Sequence, residues 1–446
     1  MGGTIDLPVW VVVLVGILAA LSLMERALIP SVRWFIRRRA ERIVARLNTN
    51  LERPIEPFKL ARRHDMIQRL IYHPDVAQAV AEHVTETGDR EDVAFEKARR
   101  YAREIVPSFS AFAYFTIGTK GAGFIARSLY RVRLAHYDES LADVDPNTTV
   151  IFVMNHRSNL DYVLVTYLAA ERSALSYAVG EWARIWPLSK LIRSMGGYFI
   201  RRKSRNALYR AVLARYVEMA TQGGVTQAIF PEGGLSLDGR LAPPKLGLLD
   251  YVVRGADLEA RDVLFVPVAL NYDRVLEDRI LMSAGEKGER RFRPRIKDTV
   301  DFVAKQIWLR ITGGFHRNGY AAVSFGAPVS LRELGGISTE DLAQRLMQDI
   351  GAVVPVVPVP LVCQALLSGA QTREDIYPCC AKLLEGLKGS TVHLPRDSLT
   401  YAVEVGLRML RLRHVISEGT PIEIKDRDIL EFYAQSIEHL IVAPKP

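Results

Sequence analysis

The segment TVIFVMNHRSNLD, residues 149–161, sets a short apolar run against a polar turn and then opens a stretch with helical spacing. An apolar run that stops at turn-forming residues reads as a buried strand, and the end of such a strand in an open α/β sheet is where ligand sites gather. Within the turn, His156 and Asp161 are five residues apart. On one unbroken helix they would point about 140° apart at 3.6 residues per turn, so they meet only if a turn intervenes. One arrangement that achieves this puts His156 in the loop, Ser158 at the helix N-cap and Asp161 in the first turn, its carboxylate bonded to the imidazole. Such a pair suits proton transfer: imidazole titrates near neutrality, while the carboxylate fixes the tautomer and stabilises the imidazolium. The plainer reading is that Ser158 and Asp161 only cap a helix and His156 is incidental. The chain has nine histidines, so this spacing alone assigns nothing.

From Thr148 onward, short apolar runs alternate with helical spacing, the pattern of an α/β fold with a mostly parallel sheet flanked by helices. The runs are TVIFVM, LSYAV, GYFI, TQAIF, VLFVPVAL and YAAVSF; between them Asn159–Ala170, Glu181–Ser194, Ser204–Thr221 and Leu246–Arg254 have helical spacing. Upstream, residues 43–147 read mainly as helix, around Met66–Val84, Asp92–Ile105 and Gly121–Arg133, punctuated by Pro74, Gly88 and Pro107. The stretch GFIARSLYRVRLAHY suits either a membrane surface or a solvated face with an apolar back. Residues 336–446 return to helix, including Thr339–Ile350 and Leu399–Ser417. An α/β domain over 148–335 is therefore expected between two helical regions.

Leu7–Met24, LPVWVVVLVGILAALSLM, has 18 residues without a charge, a helix of about 27 Å against a hydrocarbon core of about 30 Å. Only Asp6 precedes it among charged residues, and no small-residue cleavage site follows cleanly, so it reads as an uncleaved anchor rather than a secretory signal. Arg26, Arg33, Arg37, Arg38, Arg39 and Arg42 form a basic flank. Residues 1–42 thus read as anchor and flank, with the catalytic part of the chain on the cytoplasmic side. A buried core helix is the alternative.

Over 446 residues, 49% hydrophobic and 24% charged composition excludes a collagenous, disordered or acidic-tail chain. The net charge of +9 asks for an anionic partner. No nucleic-acid-binding motif accompanies it, which leaves membrane lipid or a phosphorylated substrate and no nucleic acid. Cys363, Cys379 and Cys380 have neither C-x-x-C nor metal-ligand spacing, so no disulfide framework and no metal site are expected.

Three further blocks follow strands. Ile200-Arg201-Arg202 ends an apolar run in two guanidinium groups, which match phosphate geometry, although a solvated pair is the default. In Phe230-Pro231-Glu232-Gly233-Gly234-Leu235-Ser236-Leu237-Asp238-Gly239-Arg240, two glycines let backbone amides approach a ligand, and Glu232 is placed to orient a hydroxyl or anchor a basic residue. A tight turn with a surface Glu is the simpler account. In Val266-Pro267-Val268-Ala269-Leu270-Asn271-Tyr272-Asp273-Arg274 the apolar positions read as core or pocket wall.

Taken in order, the four blocks resemble the glycerolipid acyltransferases, most closely the branch acting on glycerol 3-phosphate or dihydroxyacetone phosphate. His156 and Asp161 match the first motif, Ile200-Arg201 the second, Glu232-Gly233 the third and Pro267 the fourth; the Asn271-Tyr272-Asp273-Arg274 run looks like this branch. The resemblance covers about residues 148–331. It implies a membrane-bound enzyme that moves a fatty acyl group from acyl-CoA or acyl-carrier protein to glycerol 3-phosphate, an early step of phospholipid synthesis, without metal or redox cofactor. Dihydroxyacetone phosphate or lysophosphatidate is the alternative acceptor, and a catalytically silent lipid-binding membrane protein is an alternative of another class. The resemblance makes His156 the base and Asp161 its support. Arg157, Ser158, Arg201, Arg202, Glu232, Gly233, Gly234, Arg240 and Lys245 are the expected substrate-binding residues. One departure stands out: the family's third motif continues Arg-Ser-Arg, and this chain has Leu235-Ser236-Leu237. Arg202, Arg240 or Lys245 would have to replace the missing cations.

Overall fold

All six side chains of strand β2 (Thr149–Met154) are buried, as an inner strand of a parallel sheet requires, and the sheet is built around it. The computed structural model describes residues 53–288 and 316–441 apart from 170–172, 181–182, 202–205, 388–391 and 393, with some residues of 8–51 and 308–313. On one side β2 pairs in parallel with β5 (Gln227–Ile229), followed by β3 (Ser176–Gly180) and β4 (Tyr198–Ile200), all parallel. On the other it pairs in parallel with β6 (Val263–Tyr272), Met154 lying opposite Val268. Next come β7 (Tyr320–Phe325), antiparallel to β6, and β1 (Arg131–Tyr137), parallel to β7. The short β8 (Val329–Ser330) pairs antiparallel with β6. The order is β1-β7-β6-β2-β5-β3-β4, mostly parallel as the alternating pattern implies. Because β7 reverses direction, the N-terminal ends of β7 and β1 lie at the same end of the sheet as the C-terminal ends of β2, β5 and β6.

Helices α1 (Arg63–Ile71), α2 (Pro74–Thr87), α3 (Glu91–Ile105) and α4 (Thr119–Leu129) precede the sheet. The helical spacing over Met66–Val84 belongs to two helices, because Pro74 cannot continue the first and instead opens the second, with His73 Nδ1 accepting the Asp75 amide. In α3 the buried Ala94, Ala98 and Ala102 recur every fourth residue, a small-residue stripe that lets it pack against α1, α2 and α7 (Ala207–Gln222). Helices α5 (Asp161–Leu168), α6 (Leu188–Ser194) and α8 (Gly247–Gly255) make the other crossovers, and α9 (Asp278–Glu286) follows β6. The C-terminal helices are α10 (Thr339–Ala352), α11 (Pro358–Leu367), α12 (Arg373–Gly386), α13 (Leu399–Leu412) and α14 (Arg427–Ile441), with α11 packed on both α13 and α14. Residues Ile55–Pro446 form one compact unit and Met1–Pro54 another.

Two expectations need correction. Residues 131–137, read as part of the helical region 43–147, form β1, so the sheet begins before residue 148. The edge position explains the misreading: Arg131 and Arg133 alternate along a strand that, among the described residues, has one strand neighbour, and their charge hides the period of two. The helical stretch Glu181–Ser194 shortens to Leu188–Ser194, starting after Pro187. The segment Leu7–Met24 lies largely outside the described residues; among those described, no helix is long and apolar enough to cross a membrane.

Candidate active site

The turn that brings His156 to Asp161 is closed by the Asp161 N–H on the Ser158 carbonyl at 3.1 Å, and α5 starts at Asp161 itself. Ser158 is not the N-cap; that position falls to Leu160, which offers no side-chain acceptor. The Asp161 carboxylate instead turns back onto the preceding loop. Its Oδ2 accepts from His156 Nδ1 at 2.9 Å, the Arg157 amide at 2.7 Å and the Ser158 amide at 3.0 Å. Its Oδ1 accepts the Tyr272 hydroxyl at 2.5 Å. A buried carboxylate needs such donors, and these hold it where the imidazole arrives. With Nδ1–H on the carboxylate, Nε2 carries the basic lone pair. Burial, then the charge of Asp161, pushes the Tyr272 phenol well above its usual range, so it remains a donor.

The His156 backbone is held from the neighbouring strand. Glu232 Oε1 accepts the His156 amide at 2.8 Å and Oε2 accepts the Ala242 amide at 2.9 Å, while the Ser236 amide donates to the His156 carbonyl at 2.9 Å. Glu232 therefore staples the loop after β5 to the turn after β2. Burial raises its carboxyl to about 7. The imidazole lies against Phe230, ring centroids 4.1 Å apart, with Tyr162 edge-on at 5.7 Å. Asn155 pins the turn to β6, donating to the Leu270 carbonyl at 3.0 Å and accepting its amide at 2.8 Å.

The remaining expected residues divide. Ser158 donates its hydroxyl to Glu277 at 2.8 Å, and Asn159 donates to the same carboxylate at 3.0 Å. Arg157 is buried over the Phe432 ring and donates Nη1 to the Gly239 carbonyl; its Nε and Nη2 have no hydrogen-bond partner among the described residues. Gly233, at φ 66°, turns its amide onto the Phe230 carbonyl at 3.0 Å, which leaves Gly234 as the candidate amide donor of the pair. A Cβ on Gly233 would meet Lys245 Cδ at 2.7 Å, so the lysine stem lies against this turn. Arg240 is exposed and pairs with Glu438 at 2.8 Å. Leu235 and Leu237 pack against the core.

Arg201 is placed differently from the phosphate clamp its strand-end position suggests. Its Nε and Nη2 fork onto Glu104 at 2.9 and 2.7 Å, a buried carboxylate that Arg184 also meets at 2.7 Å. That carboxylate holds the guanidinium more firmly protonated, and β4 is three strands from β2. Arg202 lies outside the described residues. Asn155, Tyr272 and Glu277 were not singled out from sequence; Asn155 and Tyr272 stood inside quoted motifs, but nothing in their own segments reveals their partners. Among the described residues no group of His, Cys, Asp or Glu is arranged to hold a metal ion.

Residues 135–271 match the family model described as Acyltransferase. A glycerol-3-phosphate acyltransferase of Xanthomonas campestris pv. campestris is 27% identical over 86% of this chain and 46% of its own length. One of Pseudomonas fluorescens is 29% identical over 76% of this chain and 42% of its own. The chain thus spans less than half the length of these curated relatives. A crystal structure of a 1-acyl-sn-glycerophosphate (LPA) acyltransferase from Thermotoga maritima aligns with a TM-score of 0.32 at 18% identity, covering 61% of this chain and 87% of that one. The matched segment runs from within β1 nearly to the end of β6 and encloses the His156–Asp161 pair, so the chain is similar to acyltransferases over the part that carries the candidate site.

Proposed function

We propose that the chain is a membrane-bound O-acyltransferase that moves a fatty acyl group from an acyl thioester to glycerol 3-phosphate, an early step of phospholipid synthesis. The observation that carries this reading is the buried 2.9 Å contact between His156 Nδ1 and Asp161, which leaves Nε2 as the base. Nε2 takes the proton of the acceptor hydroxyl as that oxygen attacks the thioester carbonyl, and Asp161 stabilises the imidazolium. Collapse of the tetrahedral intermediate expels the thiolate, which receives the proton back from His156. The Gly234 amide is the candidate donor to the developing oxyanion. His156 is only 2% exposed, with Phe230 and Tyr162 packed against its ring.

The names of the relatives favour glycerol 3-phosphate as acceptor, and so does Arg157. A buried guanidinium short of partners is costly, and its two unspent donors match an anionic acceptor, with Lys245 beside the next turn. Leu7–Met24 supplies the anchor in this reading, with the catalytic part on the cytoplasmic side and acyl-CoA or acyl-carrier protein as donor. Lysophosphatidate is the second reading, favoured by the apolar Leu235 and Leu237 where the family has arginines. Assay of membranes containing the chain with a labelled acyl donor against glycerol 3-phosphate, dihydroxyacetone phosphate and lysophosphatidate tests the proposal. Glycerol 3-phosphate should be preferred, and His156→Ala should lower its turnover about a hundredfold or more while the protein stays folded. Near wild-type turnover in that variant would remove His156 as the base.

A further inference from the structure

A cavity of about 380 Å³ opens between the end of α4, the start of β1 and α5, within the range of about 300–1,000 Å³ typical of small-molecule sites. It lies at the same end of the sheet as His156, because β1 starts where β2 finishes. Arg127, Arg131, Arg133 and Arg317 line it together with Tyr130 and Tyr167. Aromatic faces hold three of these guanidiniums: Arg127 lies 5.4 Å from the Tyr167 ring, and Arg131 and Arg133 lie 5.6 and 5.7 Å from Tyr320. Among the described residues, none of the four is ion-paired with a carboxylate. Asp273 feels the charge of Arg131, but its oxygens accept the Tyr320 and Val359 amides at 2.7 and 2.8 Å. Arg127 Nε donates to the Gly123 carbonyl and Arg133 Nη1 to the Val132 carbonyl, each at 3.2 Å; the remaining donors of the stacked guanidiniums can serve another partner, and four like charges around one cavity select an anion, above all phosphate.

Distance decides which phosphate. Three strand spacings separate β1 from β2, about 14 Å at roughly 4.8 Å each. The link to the catalytic pair is short: Tyr130 packs on Tyr272 at 5.5 Å, and Tyr272 holds Asp161. The phosphorus of glycerol 3-phosphate is about five bonds from the reacting oxygen, a reach of about 6 Å when three chain bonds span roughly 3.5 Å. That is too short. The phosphopantetheine arm common to acyl-CoA and acyl-carrier protein puts its phosphate about thirteen bonds from the sulfur, or about 15 Å extended. We propose that this arginine cavity binds the phosphate of the acyl donor's phosphopantetheine arm. The choice of donor over acceptor rests on the acyl-transfer reading above.

Equilibrium binding to the full chain in detergent tests this without turnover. The unchanged protein should bind 4′-phosphopantetheine about tenfold or more tightly than pantetheine, and Arg133→Gln/Arg317→Gln should abolish that difference. Both side chains are exposed, and Arg317→Gln alone, in the loop before β7, should show a smaller loss in the same direction. Coenzyme A and a holo acyl-carrier protein, titrated against both proteins, distinguish the two sources: the natural donor is the one whose affinity falls, and a fall for either supports the site. Equal binding of the two arms by the unchanged protein would overturn the proposal. So would a difference that survives in the double variant, or a loss confined to glycerol 3-phosphate. A chain that binds phosphopantetheine as stated yet transfers no acyl group would keep the cavity and sink the transfer reading.

Discussion

Tyr272 donates its hydroxyl to Oδ1 of Asp161 at 2.5 Å, so the carboxylate that orients His156 is itself held from the end of β6. Among the described residues, every other hydrogen bond on that carboxylate comes from residues 156–158, within its own turn. In the proposed reaction Tyr272 is therefore a positioning residue that ties the 155–161 turn to the sheet.

Tyr272→Phe removes this one donor and keeps the ring against Tyr130. A hydrogen bond to a charged group is worth about 1.5–3 kcal/mol, so turnover should fall about tenfold with little change in either Michaelis constant. The sign of a second effect separates positioning from mere packing. Without the tyrosine proton, the Asp161 charge is less compensated and favours the imidazolium more strongly. The acid limb of the pH–rate profile should then move to higher pH. A profile that drops uniformly without moving would assign Tyr272 to packing alone.

Glu232 makes stability depend on pH in an unusual direction. Burial raises its folded carboxyl from 4.5 to about 7, so the folded state binds this proton more tightly than the unfolded chain. The contribution is fully present below about 4.5 and is lost as pH rises to about 7, a swing of about 3 kcal/mol. Asp273, raised by burial to about 7, adds a slope of the same sign, so the comparison must be a difference. Glu232→Gln cannot titrate, and its stability relative to the unchanged protein should rise between pH 5 and 7 and level off above. Denaturant titrations at pH 5, 6, 7 and 8 measure this, and parallel curves for the two proteins would refute it.

The inner strands and the 155–161 turn were legible because their signals are local. TVIFVM is an unbroken apolar run, and the spacing of His156 and Asp161 demands a turn, which the 155–160 segment makes. Partners far along the chain were not legible. Tyr272 meets Asp161 across 111 residues and Arg201 meets Glu104 across 97, so the strand-end arginine looked available for phosphate until its carboxylate was located. The arginines of β1 misled in the same way: charge at an exposed edge masked a strand whose ladder partner, β7, lies almost two hundred residues later. Glu232 illustrates a third case. A Glu before two glycines looks like a surface turn, yet the amides of His156 and Ala242 draw it inside.

Gly239 fixes the approach of α14 to the loops around His156. It sits at φ 97°, and a Cβ there would come within 1.9 Å of the Phe432 carbonyl oxygen, while its own carbonyl accepts from Arg157. Gly239→Ala combines backbone strain with a clash against a helix, and should cost about 2–5 kcal/mol. Gly88→Ala is the control: Gly88 has φ 70° but nothing within 4 Å of the added Cβ, so strain alone should cost about 1–2 kcal/mol. Thermal denaturation of both variants, with limited proteolysis reporting on α14, makes the comparison. Equal losses would mean that α14 yields freely and that Gly239 sets nothing beyond its own turn.

Leu235 and Leu237 decide the acceptor. Both pack partly buried against the core, and Leu237 Cβ lies 3.4 Å from where a Cβ on Gly285 of α9 would stand. If the acceptor is a small polyol phosphate, its charge meets Arg157 and Lys245, and the leucines are wall. Leu235→Arg then costs about 1–2 kcal/mol of folding stability through lost apolar burial, while the affinity for glycerol 3-phosphate improves or barely changes. If the leucines instead line the path of a second acyl chain, lysophosphatidate outcompetes glycerol 3-phosphate in the unchanged protein, and the arginine reverses that preference. Competition between the two acceptors, in membranes carrying either form, separates these outcomes. A clear preference for lysophosphatidate that the arginine weakens would replace glycerol 3-phosphate as the substrate, while leaving the His156 chemistry as it stands.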